Sequence, residues 1–388
     1  MNCNRCILLL PLCLLAIITL HAQEVHSATR TKWTKEQAAA WYHSQPWLVG
    51  SNFIPSTAIN QLEMWQAETF DTATISRELG WAAGLGMNTM RVFLHDLAFE
   101  EDPQGFINRV EIFLSIAARY GIRPLFVLFD SCWDPFPHAG KQHEPAPFLH
   151  NSGWVQSPGV DALKDQNQYP RLKNYVIAII SHFSKDSRVL AWDVWNEADN
   201  SGGGSYERLQ PYDKAQLVYG LLKQVFVWAR SADPSQPLTS PIYNQEWLDS
   251  NRMTPMARLV LGESDVISFH NYDRADGFEQ CVKWLQRFGR PIICTEYMAR
   301  GNGSTFQGDM PIAKQYHVGV YNWGFVSGKT QTIYPWDSWT KKYTSEPDLW
   351  FHDVLRGDGR PYRQSEAEFI RKMTGSVQPP KVSQNATD

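Results

Sequence analysis

Short apolar runs alternate with longer amphipathic ones along most of this chain, and that alternation sets the first expectation about its fold. Runs rich in β-branched and aromatic residues occur at 47–54 (WLVGSNFI), 87–96 (MNTMRVFLHD), 122–130 (IRPLFVLFD) and 187–195 (SRVLAWDVW). Four more follow at 237–243 (PLTSPIY), 264–273 (SDVISFHNYD), 291–298 (PIICTEYM) and 320–326 (VYNWGFV). Each reads as a strand, and 237–243 is the weakest of the set. Amphipathic segments predict helices at 69–86, 105–121, 170–186, 213–233, 277–289, 310–319 and 364–375. Asp71 is placed to cap the first of these, with Gly84 or Gly86 as its stop.

Strands that alternate with helices imply a parallel sheet. Eight such units predict an α/β chain folded as a single-domain (β/α)8 TIM barrel. An open doubly wound sheet is the rival, but GSNFIP in the first strand is not the GxGxxG that such sheets use for phosphate. The connection from 131 to 169 after the third strand is long for a compact domain and carries Trp133, Phe136, Phe148 and Trp154. It is expected to be ordered and to wall one side of a cleft.

Residues 1–22 combine a basic start, an apolar run and small residues, the pattern of a signal peptide whose cleavage could fall as late as residue 28. The protein is therefore expected to be secreted or periplasmic, with no membrane span in its mature form. Residues 29–376 would form the catalytic barrel and 377–388 a flexible tail. Acidic and basic residues nearly balance, 40 against 36, without a basic run, so nucleic acid is not an expected partner. A monomer is expected. Cys132, Cys281 and Cys294, outside the leader, form no CxxC and read as packing residues. The 16 tryptophans and 15 tyrosines exceed what one core needs, and their flat faces suit the C–H faces of sugars.

In a (β/α)8 barrel, chemistry gathers at the C-terminal ends of the strands. Those ends carry Arg91 and His95, Asp130 and Trp133, Asn196 and Glu197, His270 and Tyr272, Glu296, and Trp323. Arg91, His270 and Trp323 each also fit a structural role. Glu197 and Glu296 do not fit one easily, because glutamate is rarely buried without a partner and both end apolar strands. Two facing carboxylates are what glycosidic hydrolysis needs: one protonated to donate to the leaving oxygen, one ionised to attack or to activate water. Arg91 beside Glu296 would lower its pKa, while apolar surroundings would raise that of Glu197.

The ordered set of strand ends resembles the clan A glycoside hydrolases, and within them family 5, the cellulase-like type, over roughly residues 45–375. The resemblance implies that Glu197 is the acid/base and Glu296 the nucleophile of a retaining β-glycosidase. It implies that Asn196 binds the sugar 2-hydroxyl, that Arg91 and Tyr272 hold Glu296, that His270 orients Glu197 or the sugar, and that Trp323 floors the subsite beside the scissile bond. Trp133 would add a substrate contact. Two positions depart from the family: Ala198 stands where Pro often follows Asn-Glu, and FDSCWDPF replaces a frequent histidine at the third strand end. The implied substrate is an oligo- or polysaccharide, β-linked and of glucan, mannan or xylan type, cut without a cofactor or metal. A catalytically silent sugar-binding barrel is the alternative. A metal-dependent hydrolase built on His138, His143, Glu144 and His150 is a weaker one, since their spacing matches no metal motif.

Overall fold

The structure, a computed structural model, describes residues 30–244 and 248–376. The expected signal peptide and the tail from 377 to 388 lie outside the described residues. Nine parallel strand segments form one sheet: β1 (Val49–Phe53), β2 (Thr89–Phe93), β3 (Arg123–Val127), β4 (Ala191–Asp193), β5 (Leu238–Thr239), β6 (Pro241–Ile242), β7 (Ile267–His270), β8 (Ile292–Tyr297) and β9 (Gly319–Asn322). Their order is β5-β4-β3-β2-β1-β9-β8-β7-β6. Only Ser240 separates β5 from β6, so the two ends of the sheet are halves of one strand, and the eight-position barrel closes through it. Pro241 has no N–H for a ladder, which accounts for the break and for the weak signal at 237–243. Ser240 holds the joint by donating its hydroxyl to the carbonyl of Trp195 at 2.7 Å.

The strands are buried on both faces, as parallel sheets require. The barrel interior nevertheless contains polar residues, and they are paired. Thr239 Oγ1 lies 2.6 Å from Ser268 Oγ, and Thr89 Oγ1 lies 2.8 Å from Tyr321 OH.

Helices follow the predicted places. The first barrel helix, Thr72–Gly84, starts at Asp71, whose carboxylate accepts from Thr74 N at 3.0 Å, and the chain leaves through Gly86 at φ 77°. Several boundaries differ by a few residues. The helix expected at 310–319 runs Phe306–Gln315, because Thr305 caps it and Gly319 already belongs to β9. Helices at Lys35–His43 and Pro255–Glu263 were not anticipated; each is started by a threonine cap, Thr34 and Thr254. Among the described residues, no helix is long and apolar enough to cross a membrane.

The long connection after β3 is ordered, as expected. Asp130 bridges Ser157, Asp134 bridges Val155, and Val160–Lys164 is helical. It packs against a second long connection, from Trp323 to the helix Gln364–Thr374, and the two lie over one mouth of the barrel.

Candidate active site

The strand ends converge on a cleft of about 330 Å³ at the C-terminal mouth. Glu197, Glu296, Asn196, Tyr272, Trp323 and Trp133 line it, as the sequence led us to expect. A carboxylate oxygen of Glu197, one of Glu296 and a ring nitrogen of His270 all lie within 4.8 Å of one another.

Glu296 is aimed by an irregular strand. The register slips between Phe269 and His270 on one side of β8 and between Cys294 and Tyr297 on the other. Such slips turn a side chain away from the regular alternation. Arg91 Nη1 donates to Glu296 Oε1 at 2.8 Å, and Tyr272 OH donates to Oε2 at 2.7 Å. Arg91 is itself fully buried and anchored elsewhere. Its Nη2 donates to Asp193 at 2.7 Å and to Asn196 Oδ1 at 2.6 Å, and its Nη1 also reaches Asn52 at 2.9 Å. Neither Arg91 nor His270 lines the cleft; both stand behind the glutamates.

Glu197 sits at φ 43°, a left-handed conformation unusual outside glycine. Strain of that kind concentrates at functional sites. His270 Nδ1 lies 2.7 Å from Glu197 Oε1. The other oxygen, Oε2, accepts from Asn200 Nδ2 at 2.6 Å and from the Cys132 thiol at 3.2 Å. Packing is therefore only part of the role of Cys132. The turn after β3 brings its sulfur to the lip of the barrel, where it touches the acid as well as the core. Asn196 is engaged on both ends of its amide, accepting from Arg91 and donating to Asp130 Oδ1 at 2.9 Å.

Burial raises the pKa of both glutamates. For Glu296 the expectation was the opposite; desolvation and the nearby Glu197 outweigh His270, Arg91 and Tyr272. The two still differ in kind. Glu296 has a guanidinium and a phenol to stabilise its anion, whereas Glu197 has only a thiol, an amide and an imidazole. Burial pushes His270 down to about 3, so its ring is neutral. A neutral ring at 2.7 Å can donate to an ionised Glu197 or accept from a protonated one.

Three histidines of the sequence reading take no part in the carboxylate cluster, although His150 lines the cleft. His95 is fully buried, with Nε2 at 3.0 Å from the carbonyl of Gln156 and Nδ1 accepting from Leu97 N. His143 and His150 contact the carbonyls of Glu144 and Tyr334. Glu197, His270 and Glu296 are close enough together to hold a cation, but Glu296 is already ion-paired with Arg91 from behind.

Residues absent from the sequence reading complete the site: Asn200, Tyr243, Trp336 and Trp339 on its walls, and Asn52 and Asp193 beneath Arg91. Asn200 had a signal, standing in the polar cluster NEADN (196–200) at a strand end. Trp336 and Trp339 had none, since only the folding-back of the last long loop brings them over the mouth.

The fold and the site define a (β/α)8 barrel with a buried carboxylate pair at one aromatic-lined mouth. In sequence, residues 148–263 match the model of glycosyl hydrolase family 10, a segment that includes Glu197 and stops before Glu296. No curated protein matches the chain in sequence. The structure is similar to the exo-β-1,4-mannosidase Op5Man5 from Opitutaceae bacterium strain TAV5, with 19% identity, a TM-score of 0.58 and 84% of this chain covered. This chain spans 60% of the length of that protein. It is also similar to the endo-1,4-β-D-mannanase from Thermotoga petrophila RKU-1, with 14% identity, a TM-score of 0.52, and coverage of 85% and 99% of the two chains. A family 5 mannosidase from Rhizomucor miehei aligns at 13% identity and a TM-score of 0.52, covering 86% of this chain and 94% of that one. The expected family 5 type thus meets a family 10 sequence match. What these matches share is the glycoside hydrolase barrel.

Proposed function

We propose that this chain is a retaining β-glycosidase that uses Glu296 as nucleophile and Glu197 as acid/base. The observation that carries this reading is the approach of the two carboxylates, whose oxygens lie within 4.8 Å across the mouth. Retaining enzymes hold the pair about 5–5.5 Å apart, whereas inverting ones need roughly 6.5–9.5 Å to admit a water. In the first step Glu197 protonates the leaving oxygen while Glu296 attacks the anomeric carbon. In the second, Glu197 takes a proton from water as that water displaces Glu296. Arg91 and Tyr272 stabilise Glu296 as an anion before attack and as a leaving group afterwards.

The substrate is a β-linked glycan. β-Mannosides are the first to test, because mannosidases and mannanases recur among the structural neighbours. We assign the protein to family 5 on the set of strand-end residues, and to an exported location on the composition of residues 1–22.

A 2-deoxy-2-fluoro aryl glycoside should arrest the reaction at the covalent stage, and peptide mass analysis should find the sugar on Glu296. Glu296→Gln should abolish turnover with folding intact. Proton NMR should show the β-anomer released first from a β-linked substrate. First release of the α-anomer, or a label on another residue, would overturn the assignment.

A further inference from the structure

The loops over the barrel mouth are joined along one side. Asn151 N donates to Thr330 O at 2.9 Å, His150 N donates to Ser338 Oγ at 3.1 Å, and Trp339 Nε1 donates to His150 O at 2.9 Å. Gln331 clamps the same seam, accepting from Phe148 N at 2.9 Å and donating to Ala146 O at 2.7 Å. Trp133 stacks on Trp339 at 5.2 Å. The loop after β4 is tied in as well, through Trp133 N donating to Gly202 O at 2.7 Å and Tyr206 against Trp339 at 5.4 Å. The seam links the connections after β3 and β9, and so spans the part of the mouth above β1 and β2.

At this seam sits Asn151. It lines the cleft, its side chain is buried, and its backbone is held at φ 47°. Neither its amide nitrogen nor its amide oxygen has a hydrogen-bond partner. Buried amides without partners are rare, and one kept at a cleft calls for a ligand that completes it. Beside it are Trp154 and Trp323, ring centroids 5.5 Å apart, which also line the cleft.

Chemistry sets the direction of a bound sugar. The leaving oxygen must meet Glu197, and the anomeric carbon must meet Glu296. The rest of that sugar ring then lies in the cleft that Trp323, Trp154 and Asn151 line. We propose that this tied side is a closed subsite for one non-reducing terminal pyranose, with the Asn151 carboxamide bonding its hydroxyls, so that the enzyme acts on chain ends. This inference rests on the glycosidase reading above and adds the substrate class: glycans attacked one terminal residue at a time.

The test uses oligosaccharides of increasing length labelled at the reducing end. The expected result is a single released monosaccharide, with the label moving down one residue per step at every length. Labelled products of several lengths at the earliest times would overturn the closed subsite while leaving the glycosidase reading intact. No hydrolysis of any glycoside, together with no fluorosugar adduct on Glu296, would remove both. Asn151→Gly tests the amide, since glycine adopts φ 47° without strain. It should lower kcat/KM about tenfold to a hundredfold, as expected for losing one or two neutral hydrogen bonds. Against a series of monodeoxy aryl glycosides, that loss should vanish for the substrate lacking the bonded hydroxyl. An equal loss on every member of the series, or none, would refute the role of Asn151.

Discussion

Replacing Cys132 with alanine should shift the alkaline limb of the pH–rate profile upward. The thiol donates to Glu197 Oε2 at 3.2 Å, and a donor to a carboxylate favours its ionised form. Burial already raises the Glu197 pKa, and the Cys132 and Asn200 contacts oppose that rise. Removing the thiol removes one opposing contact, so Glu197 keeps its proton to higher pH. The thiol itself stays protonated, because burial and the neighbouring carboxylates raise its pKa well above the usual thiol range. A weak neutral hydrogen bond contributes about 1 kcal/mol, and about 1.4 kcal/mol equals one pKa unit. The expected displacement is therefore about half a unit to one unit. Asn200 still donates to the same oxygen at 2.6 Å and keeps the acid in place. Two side effects compete: a methyl in place of CH2–SH makes the site more apolar and adds to the shift, whereas water entering the space would reduce it. Cys132→Ser separates them, since a hydroxyl can restore the donor. The assay is kcat/KM against pH on a glycoside with a poor leaving group, where protonation by Glu197 limits the first step. An alkaline limb that stays in place or moves down in Cys132→Ala would refute the reasoning.

Arg91→Met should lower folding stability by about 3–5 kcal/mol, because it leaves Asp193 and Glu296 as buried carboxylates without their cation. Urea denaturation at neutral pH checks this, and a change below about 1 kcal/mol would contradict it. Glu78, buried beneath Ser56, has its pKa raised by burial from 4.5 to about 7. Because the folded value is raised, its stabilising protonated form is fully present below about pH 4.5 and is lost as pH rises through 7. Glu78→Gln should remove that part of the pH dependence and stabilise the protein by up to about 3 kcal/mol at pH 8. Thermal melts of both proteins from pH 4 to 8 would show the curves diverging upward; parallel curves would contradict the assignment.

How far the sequence alone reached follows from the range of each signal. The strand–helix alternation is local, carried by runs of a few residues, and it was enough to place eight strand positions and the barrel. The carboxylates were equally legible: Glu197 and Glu296 end apolar strands, where burying a charge is costly without a function. Arg91, Asn196, Tyr272 and Trp323 followed, because a barrel delivers strand ends to one mouth. The weak strand at 237–243 was readable as weak, yet that Pro241 splits it at the closure of the barrel required the paired neighbours to be known.

The tertiary structure decided the rest, in each case through contacts between residues distant in sequence. Cys132 meets Glu197 across 65 positions, and Asp193 meets Arg91 across 102. His150 meets Ser338 across 188. No periodicity in a linear chain records such meetings. The direction in which burial moves the Glu296 pKa was misjudged for the same reason: solvent exclusion is a property of the assembled mouth, to which several loops contribute. The sequence determined which groups reach the barrel mouth, and the packing of distant loops around them determined how those groups are charged, held and enclosed.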